Sequence, residues 1–304
     1  MFADVPEISV AEEAKSPRFG RSHQSTLRGP VEFSGVGLHS GVHARLVVLP
    51  APADHGIVFV RRDSAAASPV AARWDQVSIT ELSTSIGDGS SRVSTIEHLM
   101  AAFSGLGIDN AMVEITGPEV PILDGSSMAF VAHMLEAGID EQAARRSCLQ
   151  VIKPFLYEES GKAVKIEPAP QIEFRCTISF PDPVIGRQTI YYRHSDRSFL
   201  ELASARTFCH YRDVETMRRA GLALGGSLDN AVVVTDEGVM NPGGLKGGDE
   251  FVRHKLLDAI GDLSLTVAPL AGRITLYKSG HGVHARFMRE LMTRRRDCLE
   301  LVSL

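Results

Sequence analysis

His254 and Asp258 stand four residues apart in the run Asp249-Glu-Phe-Val-Arg-His254-Lys-Leu-Leu-Asp258-Ala-Ile-Gly-Asp262. On a helix this spacing brings the imidazole and the carboxylate to one face on successive turns, with Asp262 one turn further along. Both are N/O ligands of the type zinc accepts. Glu97-His98 adds a second imidazole with a carboxylate beside it. Three ligands, His98, His254 and Asp258, would leave a fourth position for water, as in a catalytic rather than a structural zinc site. Glu97, not itself a ligand, then has the chemistry of a general base. Spacing alone favours a plainer reading. His254, Asp258 and Asp262 would be the solvated face of an amphipathic helix whose other side (Val252, Leu256, Ala259, Leu263) meets the core. Glu97 would be the capping-box partner of Ser94, and His98 a satisfied core histidine.

His281 follows a strand over 273–278, in Lys278-Ser-Gly-His, where the glycine allows a sharp turn. Asp262 beside it would hold its ring protonated. Lys255, Lys162 and His39 are candidate contacts for an anionic ligand, or simply solvated cations.

These groups need elements to hold them. Helices are expected over 94–104, from Asp124-Gly-Ser-Ser to Gly138 (with Phe130, Val131, Met134 and Leu135 as its apolar positions), over 249–263, and over 283–297. The clearest strand is 172–180, where Ile172, Phe174, Cys176, Ile178 and Phe180 alternate with polar residues, the pattern of a half-exposed antiparallel strand. Further strands are expected around Ala44–Val48, Ile57–Val60, Ala111–Ile115, Val164–Ile166, Ala231–Val234 and Ile274–Tyr277. Strands in runs with helices between them indicate an α+β architecture. His98-Leu-Met-Ala-Ala-Phe-Ser-Gly105 aligns with His254-Lys-Leu-Leu-Asp-Ala-Ile-Gly261 about half the chain later, which points to two related domains. The expected division is a disordered tail over 1–25, an N-terminal domain over 26–145 and a C-terminal domain over 146–304, with the polar stretch from Glu141 as the linker.

Composition sets outer limits. The 304 residues are twice a usual domain, and 44% hydrophobic with 23% charged residues supports a packed core rather than disorder. A net charge of −5 is the wrong sign for a chain whose main partner is nucleic acid. No apolar run is long enough to span a bilayer, and the first residues lack a secretory apolar region. Cys148, Cys176, Cys209 and Cys298 lie far apart, as expected of reduced thiols in a cytoplasmic protein. Arg294-Arg295-Arg296 reads as a solvated helix end, with peripheral contact to anionic lipid as the alternative.

Eight blocks carry a resemblance: Gly35-Val-Gly-Leu-His39-Ser-Gly41, Ser94-Thr-Ile-Glu-His98-Leu, Gly105-Leu-Gly-Ile-Asp-Asn110, Asp124-Gly-Ser, Ser204-Ala-Arg-Thr207-Phe208, Leu224-Gly-Gly-Ser227, the stretch 249–262 and Lys278-Ser-Gly-His281. In this order they make the chain, from about residue 25 to its end, closely similar to the zinc-dependent UDP-3-O-acyl-N-acetylglucosamine deacetylases of lipid A biosynthesis. The resemblance implies two similar α+β domains packed face to face, each a β-sheet layered with helices plus a small insert. It implies one zinc ion per chain on His98, His254 and Asp258, with Glu97 as general base. It implies that His281, with Asp262 beside it, is a protonated histidine near the leaving group, and that Thr207 helps hold the oxyanion. Lys255, Lys162, His39 and Phe208 match positions lining the nucleotide-sugar site, and Phe180 the aromatic against the uracil. Val214, Ala223 and Ser227 fall where an apolar passage takes the acyl chain.

The expected partner is therefore a small nucleotide-sugar with an acyl chain, the protein acting as a monomer in the cytoplasm. The departing amine would take its proton from His281, or from Glu97 acting a second time. Cys209-His210 departs from the family pattern beside the acyl passage, and so do Gly247-Gly248 ahead of the 249–263 helix. Two rival functions stay open: a paralogue acting on a related N-acetylated sugar nucleotide, and a non-catalytic zinc protein that binds such ligands.

Overall fold

The computed structural model describes residues 21–194 and 196–304. Two five-stranded sheets with the same topology form its outer layers. In the first, strands Val31–Val36, His43–Pro50, Ala111–Thr116, Ile57–Arg61 and Val70–Ala71 lie side by side in that order. In the second the order is Phe155–Glu159, Lys162–Glu167, Arg273–Tyr277, Glu173–Ser179 and Arg187–Arg193. Each sheet has one parallel pairing, between its third and fourth strands, and antiparallel pairings elsewhere.

Seven helices are described: α1 (Glu97–Leu106), α2 (Met128–Ala137), α3 (Asp196–Ala203), α4 (Tyr211–Arg219), α5 (Glu250–Leu263), α6 (His281–Thr293) and α7 (Arg295–Cys298). In each half one helix precedes the central strand and another follows it: α1 and α2 around Ala111–Thr116, α5 and α6 around Arg273–Tyr277. This is the repeat that the His98 and His254 segments signal. The result is α+β, layered sheet, helices, helices, sheet, around one continuous apolar cluster that includes Leu46, Phe103, Phe251 and Phe287.

Several boundaries differ from the sequence reading. Residues 1–20 lie outside the described residues, and the expected tail ends before His23, because His23–Leu27 is a strand with Ser25 and Leu27 buried. The polar stretch from Glu141 is not a linker. It lies in the strand Ile139–Arg145, antiparallel to His23–Leu27, while Ser147–Val151 pairs with Leu299–Ser303. The chain thus changes partners at Arg146. The strand within 172–180 has its buried face as expected (Phe174, Cys176, Ile178) but is antiparallel on one side only, since Arg273–Tyr277 runs parallel to it. The final helix starts at His281 rather than 283 and breaks at Arg294, with α7 following.

The capping box at Ser94 does not form. The cap of α1 is Ile96, with no side-chain bond to the helix end, and Thr95 takes the left-handed region at φ 57°. Ser94 instead accepts a hydrogen bond from the Ser85 hydroxyl, and Glu97 turns its carboxylate to the Thr84 N–H.

Helices α1 and α5 cross closely. A Cβ built on Gly261 would lie 2.0 Å from the Glu97 carbonyl oxygen. The corresponding glycine of α1, Gly105, is just as crowded, with the Phe199 ring of α3 2.1 Å from its Cβ position. A methyl group at Gly261 must push two buried helices apart, and such overpacking costs about 1–3 kcal/mol. Gly261→Ala is predicted to lower the denaturant midpoint at unchanged slope, whereas Gly248→Ala, where an added methyl meets nothing within 4 Å, leaves it within error.

Candidate metal centre and active site

The burial of α5 removes the solvated-face reading. Every residue from Glu250 to Leu263 is buried except Arg253 and Lys255, with His254 at 1%, Asp258 at 2% and Asp262 at 1% exposure. Ionisable groups so deep in a protein need partners, and α1 supplies them.

His98 on α1 and His254 on α5 stand edge to face with ring centroids 5.0 Å apart. Asp258 Oδ1 lies 3.3 Å from His254 Nε2 and 3.5 Å from His98 Nε2. The ligand atoms of the three residues fall within 4.8 Å of one another. His254 Nδ1 is 3.1 Å from the Ala205 carbonyl oxygen, which can only accept, so the ring proton sits on Nδ1 and the Nε2 lone pair faces the cluster. Burial pushes this ring down to about 3, against the pull of Asp258, so the imidazole is neutral as metal binding requires. Asp258 Oδ1 is buried and has no hydrogen-bond donor. An orphaned carboxylate oxygen beside the His254 lone pair and the His98 Nε2 fits a divalent cation. Its other oxygen accepts from Lys255 Nζ at 2.7 Å.

Glu97 and His281 flank this cluster. Glu97 Oε2 accepts the Thr84 N–H at 3.0 Å, and Oε1 faces His281 Nε2 at 4.0 Å. Burial raises the Glu97 carboxyl above its usual range, with nearby His281 and His98 opposing. His281 Nδ1 is 2.8 Å from Asp262 Oδ2, and its Nε2 lies 3.9 Å from Asp258 Oδ2. Burial would depress this ring, but the Asp262 carboxylate wins and lifts it to about 9. Asp262 is held below the usual carboxylate range because its two imidazole partners, His281 and His284, together with His281's charge, outweigh its burial.

A cavity of about 1150 Å³ opens beside these residues. His39, Lys162, Lys255, Phe180 and Phe208 all line it, as do Thr207 and His281, and so do Val214, Ala223 and Ser227 around α4. The candidate metal ligands, Glu97 and Asp262 are not in its wall; they touch wall residues. Lys255 reaches Asp258, His281 reaches Asp262, and the Phe208 ring lies 6.2 Å from that of His254. Phe180 and Phe208 meet edge to face at 5.8 Å, and Lys255 Nζ sits over the Phe208 ring. Lys255 is thus bound to Asp258 rather than a free cation awaiting a ligand. His39 is held by its backbone N–H on Glu119, and burial lowers its ring's proton affinity. Cys209 and His210 also line the cavity, His210 Nδ1 lying 3.6 Å from the buried Asp182 carboxylate.

Three buried residues at the site escape a reading from sequence. Thr84 donates its hydroxyl to Asp262 Oδ1 at 2.5 Å and its N–H to Glu97. Glu119 accepts from the His39 and Ser40 N–H groups and the Thr95 hydroxyl. His284 Nδ1 lies 2.7 Å from Asp262 Oδ2. A threonine in Ser-Thr-Ser and a lone glutamate carry no signal. His284 carries one, its spacing of three from His281 on one helix face.

Residues 24–293 match the family model for UDP-3-O-acyl N-acetylglycosamine deacetylase. Curated relatives bearing the name UDP-3-O-acyl-N-acetylglucosamine deacetylase match over nearly their whole length. The Myxococcus xanthus protein is 46% identical across 92% of this chain and 89% of its own. The Methylococcus capsulatus protein is 46% identical across 92% and 93%, and that of Nitratidesulfovibrio vulgaris 44% across 93% and 92%.

The cluster predicts a metal stoichiometry. Purified protein is expected to hold close to one divalent ion per chain by elemental analysis, and His254→Ala to lose it. A variant that keeps the full complement would remove His254 from the ligand set.

Proposed function

This chain belongs to the UDP-3-O-acyl N-acetylglycosamine deacetylase family, and from that premise we propose that it hydrolyses the N-acetyl group of UDP-3-O-(3-hydroxyacyl)-N-acetylglucosamine. The products are acetate and the free 2-amino sugar nucleotide, the committed step of lipid A synthesis. The cofactor in this reading is one zinc ion on His98, His254 and Asp258. The observation that carries the reading is the convergence of those three buried ligand atoms beside Glu97 Oε1 and His281 Nε2, next to the large cavity.

A zinc ion bound there supplies an acidified water and a Lewis acid for the acetamide carbonyl. Glu97 takes the proton of the attacking water; its Oε2 is fixed by Thr84, which leaves Oε1 for the exchange. The Thr207 hydroxyl, in the cavity wall, donates to the oxyanion that develops on the carbonyl. The departing amine needs a proton. His281 carries one on the nitrogen directed at Glu97, with Asp262 holding the other side of the ring, so His281 rather than Glu97 acting twice is the favoured acid. Lys162, His39, Phe208 and Phe180 line the nucleotide-sugar end, with Lys255 bridging it to Asp258. Val214, Ala223 and Ser227 line the acyl passage, and His210 beside them is a polar wall group that bears on chain-length preference.

The same reading divides the chain at Arg146 into units over 26–145 and 146–304, and places the enzyme in the cytoplasm as a monomer. No described helix is long and apolar enough to cross a membrane. The exposed arginines 294–296 remain the site proposed for any peripheral lipid contact.

Acetate release from UDP-3-O-acyl-N-acetylglucosamine tests the function. Purified protein is expected to release it, to stop after chelation and to resume when zinc is returned; no release from zinc-loaded protein would overturn the proposal. Glu97→Ala is expected to keep its zinc and lose about 10²-fold or more in kcat. Wild-type turnover in that variant would assign the base elsewhere.

A further inference from the structure

Asp262 accepts more bonds than its role beside His281 requires. Its Oδ1 takes the Thr84 hydroxyl, and its Oδ2 takes two imidazoles at once, His281 Nδ1 at 2.8 Å and His284 Nδ1 at 2.7 Å. His284 is 1% exposed and nothing in the reaction above uses it. A carboxylate can only accept, so His284 must carry its proton on Nδ1. In the neutral ring Nε2 is then an acceptor, and it lies 2.9 Å from the Ser279 hydroxyl.

Ser279 belongs to the turn that presents His281. The turn is unusual, because Lys278 sits at φ 50° without being glycine, its N–H donating to the Thr177 carbonyl. Residues held in this region persist only where the surroundings over-determine them. His284 grips both ends of the arrangement: one ring nitrogen on the carboxylate that orients His281, the other on the turn two residues before it. Its backbone N–H adds a third tie, to the Gly280 carbonyl.

We propose that His284 is a positioning residue for the reaction, locking the Asp262 carboxylate and the Lys278–Gly280 turn so that His281 directs its second nitrogen at the reacting centre. The inference rests on the deacetylase reading. Without His284, Asp262 keeps Thr84 and His281 but loses one of the two donors that fix Oδ2, and the turn loses the Ser279–His284 hydrogen bond that ties it to α6. Asp262 and His284 lie behind the cavity wall rather than in it, so their loss is expected to act on kcat more than on KM.

Asparagine and glutamine separate the two contacts, because an Asn amide nitrogen superposes on the imidazole δ position and a Gln amide nitrogen on the ε position. In zinc-loaded enzyme, His284→Leu is expected to lower kcat by about 10–100-fold, as loss of a hydrogen-bonded supporting group does at other sites, with a smaller change in KM and zinc content unchanged. His284→Asn should recover most of that loss and His284→Gln should not. Proton NMR gives a readout independent of turnover. Wild-type protein should show two low-field imidazole N–H signals from the rings sharing Asp262, and His284→Leu should lose one and shift the other. Wild-type kcat in His284→Leu, rescue by Gln instead of Asn, or an unmoved His281 signal would each overturn the proposal. If His284→Leu does not fold, the Asn and Gln pair still decides it. A wild-type enzyme that releases no acetate would sink the deacetylase reading instead, leaving the NMR comparison to judge His284.

Discussion

At Gly261 the backbone of α5 runs against the Glu97 carbonyl so closely that no side chain fits between them. The two helices come from different halves of the chain. One brings Glu97 and His98, the other His254, Asp258 and Asp262. Only at this separation do Nε2 atoms from both halves reach the same carboxylate oxygen. A metal site assembled across two packed helices is only as well formed as their packing, and the sheets outside them and the apolar cluster between hold the crossing rigid. The repeat supplies a parallel: Gly105 in α1 makes the same close approach, but to a phenylalanine ring rather than a backbone. One half of the duplicated motif thus closes the active centre while the other builds core.

Close packing alone would not stabilise so many buried charges. Glu97, Asp258 and Asp262 are three carboxylates removed from water, facing two cations, Lys255 and the protonated His281. Isolated buried charges cost several kcal/mol each, and pairs recover that only with good geometry and satisfied remaining lone pairs. Asp262 meets the condition with three donors. Asp258 meets it on one oxygen and not the other. Glu97 carries the residual strain as a carboxyl pushed toward its protonated form. A dication at the unsatisfied oxygen would reverse the imbalance, which is why the ligand set reads as a metal site rather than a self-sufficient polar network.

Much of this was legible in sequence because helical spacing is a strong constraint. His254, Asp258 and Asp262 read as one face, and the paired segments at His98 and His254 announced the repeat. What spacing could not supply was the environment of that face: a helix buried nearly all round looks amphipathic when polar residues such as His254, Asp258 and Asp262 are among those buried. The Ser94 capping box failed for a related reason. Its glutamate had the right offset but was drawn to Thr84, which comes from another segment. Glu141–Arg145 looked like a linker because it is polar, yet an edge pairing with His23–Leu27 needs only one inward residue in two. Thr84 and Glu119 act through contacts distant in sequence and no local pattern encodes them, whereas His284 left only its spacing of three from His281 on α6.

Net charge is the bluntest of the sequence signals, and the site shows why. The chain is acidic overall, yet Lys162, Lys255, Lys278 and Arg286 all line one cavity. Lys255 bonds Asp258 and Arg286 bonds Glu159, so the free positive field there belongs to fewer groups than the wall suggests. The part of the wall around α4 is built differently. None of the residues of α4 is buried, and its apolar positions Val214 and Met217 turn to the cavity rather than to a core. In the proposed reading the chemistry belongs to the deeply packed α1 and α5, and the fit to the apolar part of a ligand to a helix none of whose residues is buried. Elements with few buried contacts open at low free-energy cost, so on that reading the α4 wall is the part of the cavity that would yield to different chains, while the crossing at Gly261 holds the His98, His254 and Asp258 cluster together.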